Sequence, residues 1–476
     1  MLKESSKNLC LFHAVDGLRI GLSNFSHPSR VALVYAMDAE DELRIYDPQD
    51  LLRGHEPKLQ EIYVDSNRWR DVEPQFKLKH KFDLVHFENL DLTGLISYGG
   101  RSRDLFYQMW FTEHHPDMCS SGPTERWLEH AARLLAQDFA LDAEINIGTS
   151  GYVLQGCALH AVRDHIVDER NFTLGPDTQL RIYPTLEAVL GISKTREEGA
   201  CSCGQLAFVE SSFLQQMEML AEFPVLNRPE IRNYKHVSKL LQSVEDSERR
   251  LISDGKYVMG ISRDSLPRAS LCAEFDLGDG FLRLDGETVC SFHDGNFSSN
   301  TGRAKLVQLE EAFLEAALDD RTRTELFRVV SGIVHFAQKN RFGCTLVVDL
   351  NSEPVSIAGQ DLEAPLDLNG PDVLRLIDSL ARVDGALHLG KDLKLHAFAC
   401  LLDGRRVSGE DRSRGARFNS ALRFTAENEN IIVVVVSSDR PVSIIQNGVE
   451  LTGACEWTPV SHCMIPPLLR DWIRYP

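Results

Sequence analysis

The C-terminal part of this chain is predicted to be an α/β sandwich of about 140 residues, preceded by an α+β region of one or two domains. Three observations carry that expectation. From residue 304 onward, segments of helical and strand period alternate. One of them, Ile431-Ile432-Val433-Val434-Val435-Val436, is apolar at every position, as a strand covered on both faces must be. And 476 residues exceed the roughly 250–300 at which single cores stop growing.

Taken in order, the first 80 residues read as strands and turns. Residues 30–37 and 58–64 are apolar-rich, with His-Pro and Asp-Pro breakers between them. Residues 82–92 and the aromatic stretch 105–111 follow. A helix is expected from Pro123-Thr124, because proline suits a first helical turn and Trp127, Leu128, Ala131, Leu134 and Leu135 then share a face. Residues 228–250, polar and helical in pattern, mark where this region would subdivide. Short strands with Gly and Asp turns occupy 257–294.

Leu306, Leu309, Phe313 and Ala316 then mark a helical connector, and Leu326 to Ala337 a second helix ended by Asn340 and Gly343. A strand at 344–350, a helix at 371–381, strands at 386–389 and 393–402, a helix near 418–425, the apolar strand and a hairpin across Asn447-Gly448 complete the pattern. The expected organisation is therefore 1–300 as an N-terminal sensor or regulatory region, 301–325 as connector, 326–452 as the α/β domain and 453–476 as a tail.

Composition excludes several classes. No run of about 18 apolar residues is present, so no membrane span is expected. The first residues, Met1-Leu2-Lys3-Glu4-Ser5, lack the apolar core of a secretory signal, which leaves the cytoplasm as the expected location. A net charge of −19 argues against a general nucleic-acid binder. Arg405, Arg406, Arg412, Arg414, Arg417 and Arg423 nevertheless concentrate positive charge in one stretch, where an anionic ligand would be held. Eleven scattered cysteines read as free thiols, with Cys201-Ser202-Cys203 the one close pair and a loop rather than a metal site.

Three short stretches carry the chemistry: Val383-Asp384-Gly385-Ala386, then Gly415-Ala416-Arg417-Phe418-Asn419-Ser420-Ala421, then Val436-Ser437-Ser438-Asp439-Arg440-Pro441. In order and spacing they resemble the diadenylate cyclase family, whose signatures read Asp-Gly-Ala, Gly-Thr-Arg-His-Arg-Ala-Ala and Val-Ser-Glu-Glu-Thr-Gly. The resemblance runs from near Leu326 to near Leu451. It implies a diadenylate cyclase-like sandwich in which two domains face each other, each holding one ATP. Each 3′-hydroxyl attacks the partner nucleotide's α-phosphate, giving cyclic di-AMP and pyrophosphate.

Such a reaction needs a divalent metal, Mg or Mn, a carboxylate to hold it and donors for the triphosphate. By resemblance Asp384 and Arg417 would be catalytic. Gly385, Ala386, Gly415, Arg417, Asn419 and Ser437 would bind nucleotide, and Asp384 and Asp439 would hold the metal. The expected partners are ATP and a second copy of the chain, with neither nucleic acid nor membrane. The second signature departs from the family: Ala416, Phe418 and Asn419 stand at its Thr, His and second Arg. Each hydrogen bond to a charged group that is lost forfeits about 1.5–3 kcal/mol. The alternative function is accordingly a module that binds ATP or a dinucleotide without turning it over. Phe418 is expected to pack in the core, or else to stack on a base.

Elsewhere, Glu113-His114-His115-Pro116-Asp117-Met118-Cys119 gathers metal-capable types, but adjacent histidines on an extended segment point oppositely, so a structured loop is expected. His293-Asp294-Gly295-Asn296 is ordinary turn chemistry. Gly148-Thr149-Ser150-Gly151 lacks the Gly-Lys-Ser/Thr of a phosphate loop.

Overall fold

The computed structural model describes every residue except 1, 27–28, 72–83, 116–117, 141–148, 177, 198–199, 246–247, 277–278, 294, 302–305, 317, 341, 369, 371–372, 408–409, 411–413, 438–441, 452–464 and 475–476. The chain forms two compact units, Met1–Thr301 with Cys455–Pro476, and Gly302–Ala454.

The first unit is α+β. It opens on a helix, Leu2–Phe25, and not on strands and turns. Leu11, Ala14, Val15, Leu18, Leu22 and Phe25 recur every three or four positions and are all buried, which is the stripe of a helix packed along one face. Residues 58–64 are likewise not a strand. Pro57 sits in the first turn of the helix Glu56–Leu59, which runs on as a π-helical turn, Gln60–Val64, burying Leu59 and Tyr63 four residues apart. Helical spacing and an N-terminal proline outweigh the β-branched Ile62 and Val64.

Strand Val31–Ala36 lies in a five-stranded antiparallel sheet, between Arg44–Tyr46 and Tyr107–Glu113, with Leu95–Arg101 and Val85–Phe87 beyond. Val31, Leu33 and Tyr35 enter one core; Ala32, Val34 and Ala36 enter a second on the opposite face. The helix expected from Pro123 is Gly122–Ala140. An eight-stranded sheet includes Leu271–Asp276, Asp279–Leu284 and Glu287–His293, where short strands were expected. Within residues 228–250 lies a helix, Tyr234–Leu241, whose Val237 and Leu241 share one continuous core with Leu11, Trp127 and Phe292.

The chain's end returns to this unit. Helix Leu469–Arg474 buries Leu469 and Trp472 in the second core, beside Ile45, Tyr63 and Trp69. Arg44 Nη1 donates to the Pro466 carbonyl at 2.7 Å, and the Arg53 guanidinium lies 3.9 Å over the Trp472 ring.

The second unit is a seven-stranded mixed sheet. Its strand order is Gln360–Asp367, Lys394–Cys400, Ala386–Gly390, Cys344–Asp349, Ile431–Val436, Ser443–Gln446 and Val449–Glu450. Cys344–Asp349 runs parallel to Ala386–Gly390 and antiparallel to Ile431–Val436. The apolar strand is divided between two cores. Ile432, Val434 and Val436 meet helices Val307–Glu315, Asp320–Lys339 and Val373–Leu380 on one face. Ile431, Val433 and Val435 meet helix Ala416–Glu427 on the other. Strand alternation thus explains why no position of the segment is polar. Asn447 and Gly448, with φ of 51° and 73°, make the left-handed hairpin turn their pair predicts.

Asp349, at the end of its strand, is buried with His388. Its carboxylate accepts the backbone N–H groups of Asn351 (2.9 Å) and Val355 (2.7 Å) and lies 3.0 Å from His388 Nε2. Burial pushes its pKa up, but the bonds from His388, Val355 and Asn351 outweigh burial and hold the carboxyl below its ordinary value. A folded pKa below the unfolded one means that this stabilisation is present above about pH 4 and is lost as pH falls through the folded pKa. Thermal melts taken from about pH 6 down to pH 3 are expected to show a steeper acid loss for the unaltered chain than for Asp349→Asn. Equal slopes would remove Asp349 as the cause.

Candidate functional site

Because Cys344 pairs with Val436, and Thr345 with Ala386, the start of one strand, the start of its parallel neighbour and the exit of the apolar strand fall at the same edge of the sheet. That edge gathers the Asp384-Gly385 turn, the first turn of helix Ala416–Glu427 and Ser437. Asp384, Gly415, Ala416, Arg417 and Ser437, together with Arg414, Phe418, Val435, Val436 and Ser443, line a cleft of ≈ 260 Å³, whereas Gly385 does not line it. Stretches about 30 and 20 residues apart in sequence become one site through strand pairing alone.

The turn is held by packing. Gly385 has φ of 111°, and a Cβ there would lie 2.5 Å from the Ala399 carbonyl carbon. Ala399 is itself left-handed, at φ 52°, in a bulge where the register moves from Ala386↔Cys400 to His388↔Ala397. The close approach that requires glycine is therefore to the neighbouring strand. Asp384 projects from this turn with its side chain 97% exposed, while Ala386 is buried in the core with Phe418 and Val433.

Arg417 Nη2 lies 3.3 Å from Asp384 Oδ1, and its side chain is about half exposed. An ion pair this open to water is worth at most about 1 kcal/mol, so an anion on the arginine and a cation on the carboxylate displace it easily. Gly343 backs the arginine: a Cβ there would stand 2.7 Å from Arg417 Nη1 and 3.2 Å from the Val436 carbonyl. Gly343→Ala is expected to move the guanidinium and weaken anion binding about threefold to tenfold, with little loss of stability because a flexible side-chain end gives way. Isothermal titration beside a thermal melt checks both halves.

Gly415, at φ 86°, precedes the helix and carries no side chain to cap its first-turn amides, and Gly415, Ala416 and Arg417 line the cleft. Asn419 turns its amide nitrogen back to the Gly415 carbonyl at 2.9 Å. Phe418 is buried in the core. The Arg414 guanidinium sits 4.0 Å over its ring, and Arg414 Nη2 donates to Ser443 Oγ (2.9 Å) and Glu450 Oε1 (2.6 Å).

The other arginines of the basic stretch behave differently. Arg423 donates twice to Glu410, at 2.8 and 2.7 Å. Arg405 is almost fully exposed, and Arg406 lies 3.8 Å from the Glu410 carboxylate. Arg412 and Asp439 lie outside the described residues. Of the residues expected to bind, then, Asp384, Gly415, Arg417 and Ser437 line the cleft, Ala386 is buried, and Asn419 bonds to its own helix. Gly343, Ser443 and Glu450 were not anticipated. Ser443 and Glu450 come from a hairpin that nothing in the local pattern ties to the arginines.

Among the described residues no group of three or more His, Cys, Asp or Glu side chains is placed to hold a metal ion. Among the described residues lining the cleft there is one carboxylate, Asp384, which fits a magnesium-like ion that arrives on a ligand's phosphates and takes one or two protein oxygens. In the first unit, Glu113 clamps Arg30 (Arg30 N to Oε2, 2.9 Å; Nη2 to Oε1, 2.9 Å) and His115 Nε2 lies 3.2 Å from Ser29 Oγ. His293 pairs with Asp279. Thr149, Ser150 and Gly151 begin a short helix, Thr149–Gln155; Gly148 and Asp294 lie outside the described residues.

A carboxylate on an open turn, a helix start with an arginine, and a polar strand exit converge on one cleft of a mixed α/β unit. In comparison with protein-family models, residues 333–449 match the family described as DisA bacterial checkpoint controller nucleotide-binding, the diadenylate cyclase domain. Residues 5–176 and 183–290 match two probable sensor domains, DACND and DACNH. Residues 333–449 therefore carry a nucleotide-binding domain of the diadenylate cyclase type, with two probable sensor domains ahead of it.

No curated protein matches the chain. Among solved structures, a hypothetical membrane spanning protein from Bacillus cereus is 20% identical, with a TM-score of 0.22, over 26% of this chain and 60% of that one. A double mutant of DacA from Staphylococcus aureus is 17% identical, also with a TM-score of 0.22, over 28% of this chain and 87% of that one. The chain thus spans less than two thirds of the length of the first. Among the described residues, no helix is long and apolar enough to cross a membrane.

Proposed function

We propose that the C-terminal unit binds ATP with a divalent metal, Mg or Mn, in the Asp384–Arg417 cleft and condenses two ATP to cyclic di-AMP and pyrophosphate under control of the N-terminal region, in the cytoplasm. The observation that carries this reading is the convergence of Asp384, Gly415, Arg417 and Ser437 on one cleft. Asp384 holds the ion and the attacking hydroxyl. Arg417 and the helix-start amides take up phosphate charge. The bound metal supplies charge neutralisation at the transferring phosphate. Each site holds one nucleotide, so the reaction requires two such units face to face, and the chain would act as a homo-oligomer. Asp439 follows Ser437 closely enough in sequence to offer a second carboxylate.

A second reading has its own support. Phe418 is buried, and Asn419 is bonded to its own helix, so neither position supplies the imidazole or cation of the family's signature. The unit would then bind ATP or a dinucleotide as a sensing module without turnover. Incubation of the full chain with ATP and Mn²⁺ or Mg²⁺, with products resolved by mass spectrometry, separates the two. Cyclic di-AMP supports the first. Intact ATP with a ligand-induced thermal shift supports the second, and neither product nor shift removes both.

A further inference from the structure

We infer that Arg414 is the second cation of the phosphate cradle, replacing the cation that the altered signature lacks at Asn419; this rests on the nucleotide reading of the cleft. Arg414 and Arg423 flank the signature alike in sequence, and the fold separates them. Arg423 spends Nε and Nη2 on Glu410, whereas Arg414 lines the cleft beside Gly415 and Arg417.

The guanidinium of Arg414 is fixed from two sides. The Phe418 ring lies beneath it, 4.0 Å from Cζ to the ring centroid, and Ser443 and Glu450 hold Nη2 from the hairpin. Fixing the plane in advance lowers the entropy that a long side chain loses when it takes a ligand. An arginine carries five N–H donors. Among the described residues the bonds of Arg414 use Nη2 alone, leaving Nε and Nη1 for a ligand oxygen. Glu450 offsets part of the charge, but a nucleoside triphosphate carries several negative charges and competes well at a site about a third exposed. On this account the Phe at position 418 acts as the platform for a cation that has moved from one side of the helix start to the other.

The test is titration calorimetry of the full chain with Mg²⁺-ATP and, separately, with adenosine, for the unaltered protein and for Arg414→Gln, Arg414→Lys and Arg417→Gln. Arg414→Gln is expected to weaken ATP about tenfold or more and adenosine less than about twofold; Arg414→Lys, which keeps charge but loses the planar fork, should fall between. Unchanged ATP affinity in Arg414→Gln, with Arg417→Gln still impaired, overturns the assignment and makes Arg414 a hairpin staple. If Arg414→Gln fails to fold, full ATP affinity in Arg414→Lys together with an unchanged melting temperature overturns it equally. Absence of ATP binding by the unaltered chain overturns the nucleotide reading itself, an outcome distinct from the others.

Discussion

Asp384→Asn is expected to abolish cyclic di-AMP formation, by about 100-fold or more, while leaving the melting temperature unchanged. The carboxylate is almost fully exposed and Arg417, its partner among the described residues, contributes little in water, so the fold does not depend on it. On the proposed function, what the substitution removes is the anionic ligand for the metal. Asparagine keeps the shape and a carbonyl oxygen but not the charge, so nucleotide binding should weaken less than turnover. Undiminished product, quantified by mass spectrometry against the unaltered chain, would sink the catalytic assignment of Asp384. A fall in melting temperature would instead show that the turn needs the carboxylate for its own structure.

Gly385→Ala should show the reverse pattern, a large loss of stability in the C-terminal unit. Two costs add. A residue with a Cβ is strained at φ 111°, and that Cβ would stand 2.5 Å from the Ala399 backbone, which has no flexible end to give way. Strain and overlap together make a cost of about 3 kcal/mol, enough to lower the transition of this unit by several degrees. The contrast with Gly343→Ala is informative, since there the first atom met is the tip of the Arg417 side chain. Differential scanning calorimetry of the two variants would check it: similar small shifts would mean that the Asp384 turn can open away from the neighbouring strand.

Much of the C-terminal unit was legible because its signals are local. The apolar run at 431–436, the Asn-Gly hairpin and the alternating helix and strand periods each need only a few neighbouring residues to be recognised. Strand Gln360–Asp367 was missed. It is mostly exposed, so no alternation of apolar and polar residues marks it, and it forms because Lys394–Cys400 offers an edge to pair with. The helix Leu2–Phe25 carried a readable three-and-four spacing that the breakers after it obscured. For the end of the chain, nothing between 465 and 474 announces that Leu469 and Trp472 complete a core begun more than 400 residues earlier.

The site divides along the same line. Order and spacing of three short stretches were enough to single out Asp384, Gly415, Arg417 and Ser437, four residues that line one cleft, because a signature is a property of the chain itself. Which arginine joins them was decided only by tertiary structure. Arg414 and Arg423 are alike in type and lie on either side of the same helix start, yet one meets Ser443 and Glu450 beside the cleft and the other meets Glu410. A charged side chain goes where its partner's backbone happens to be folded, and that partner is set by strand pairing between distant segments, a non-local energy that no window of sequence contains.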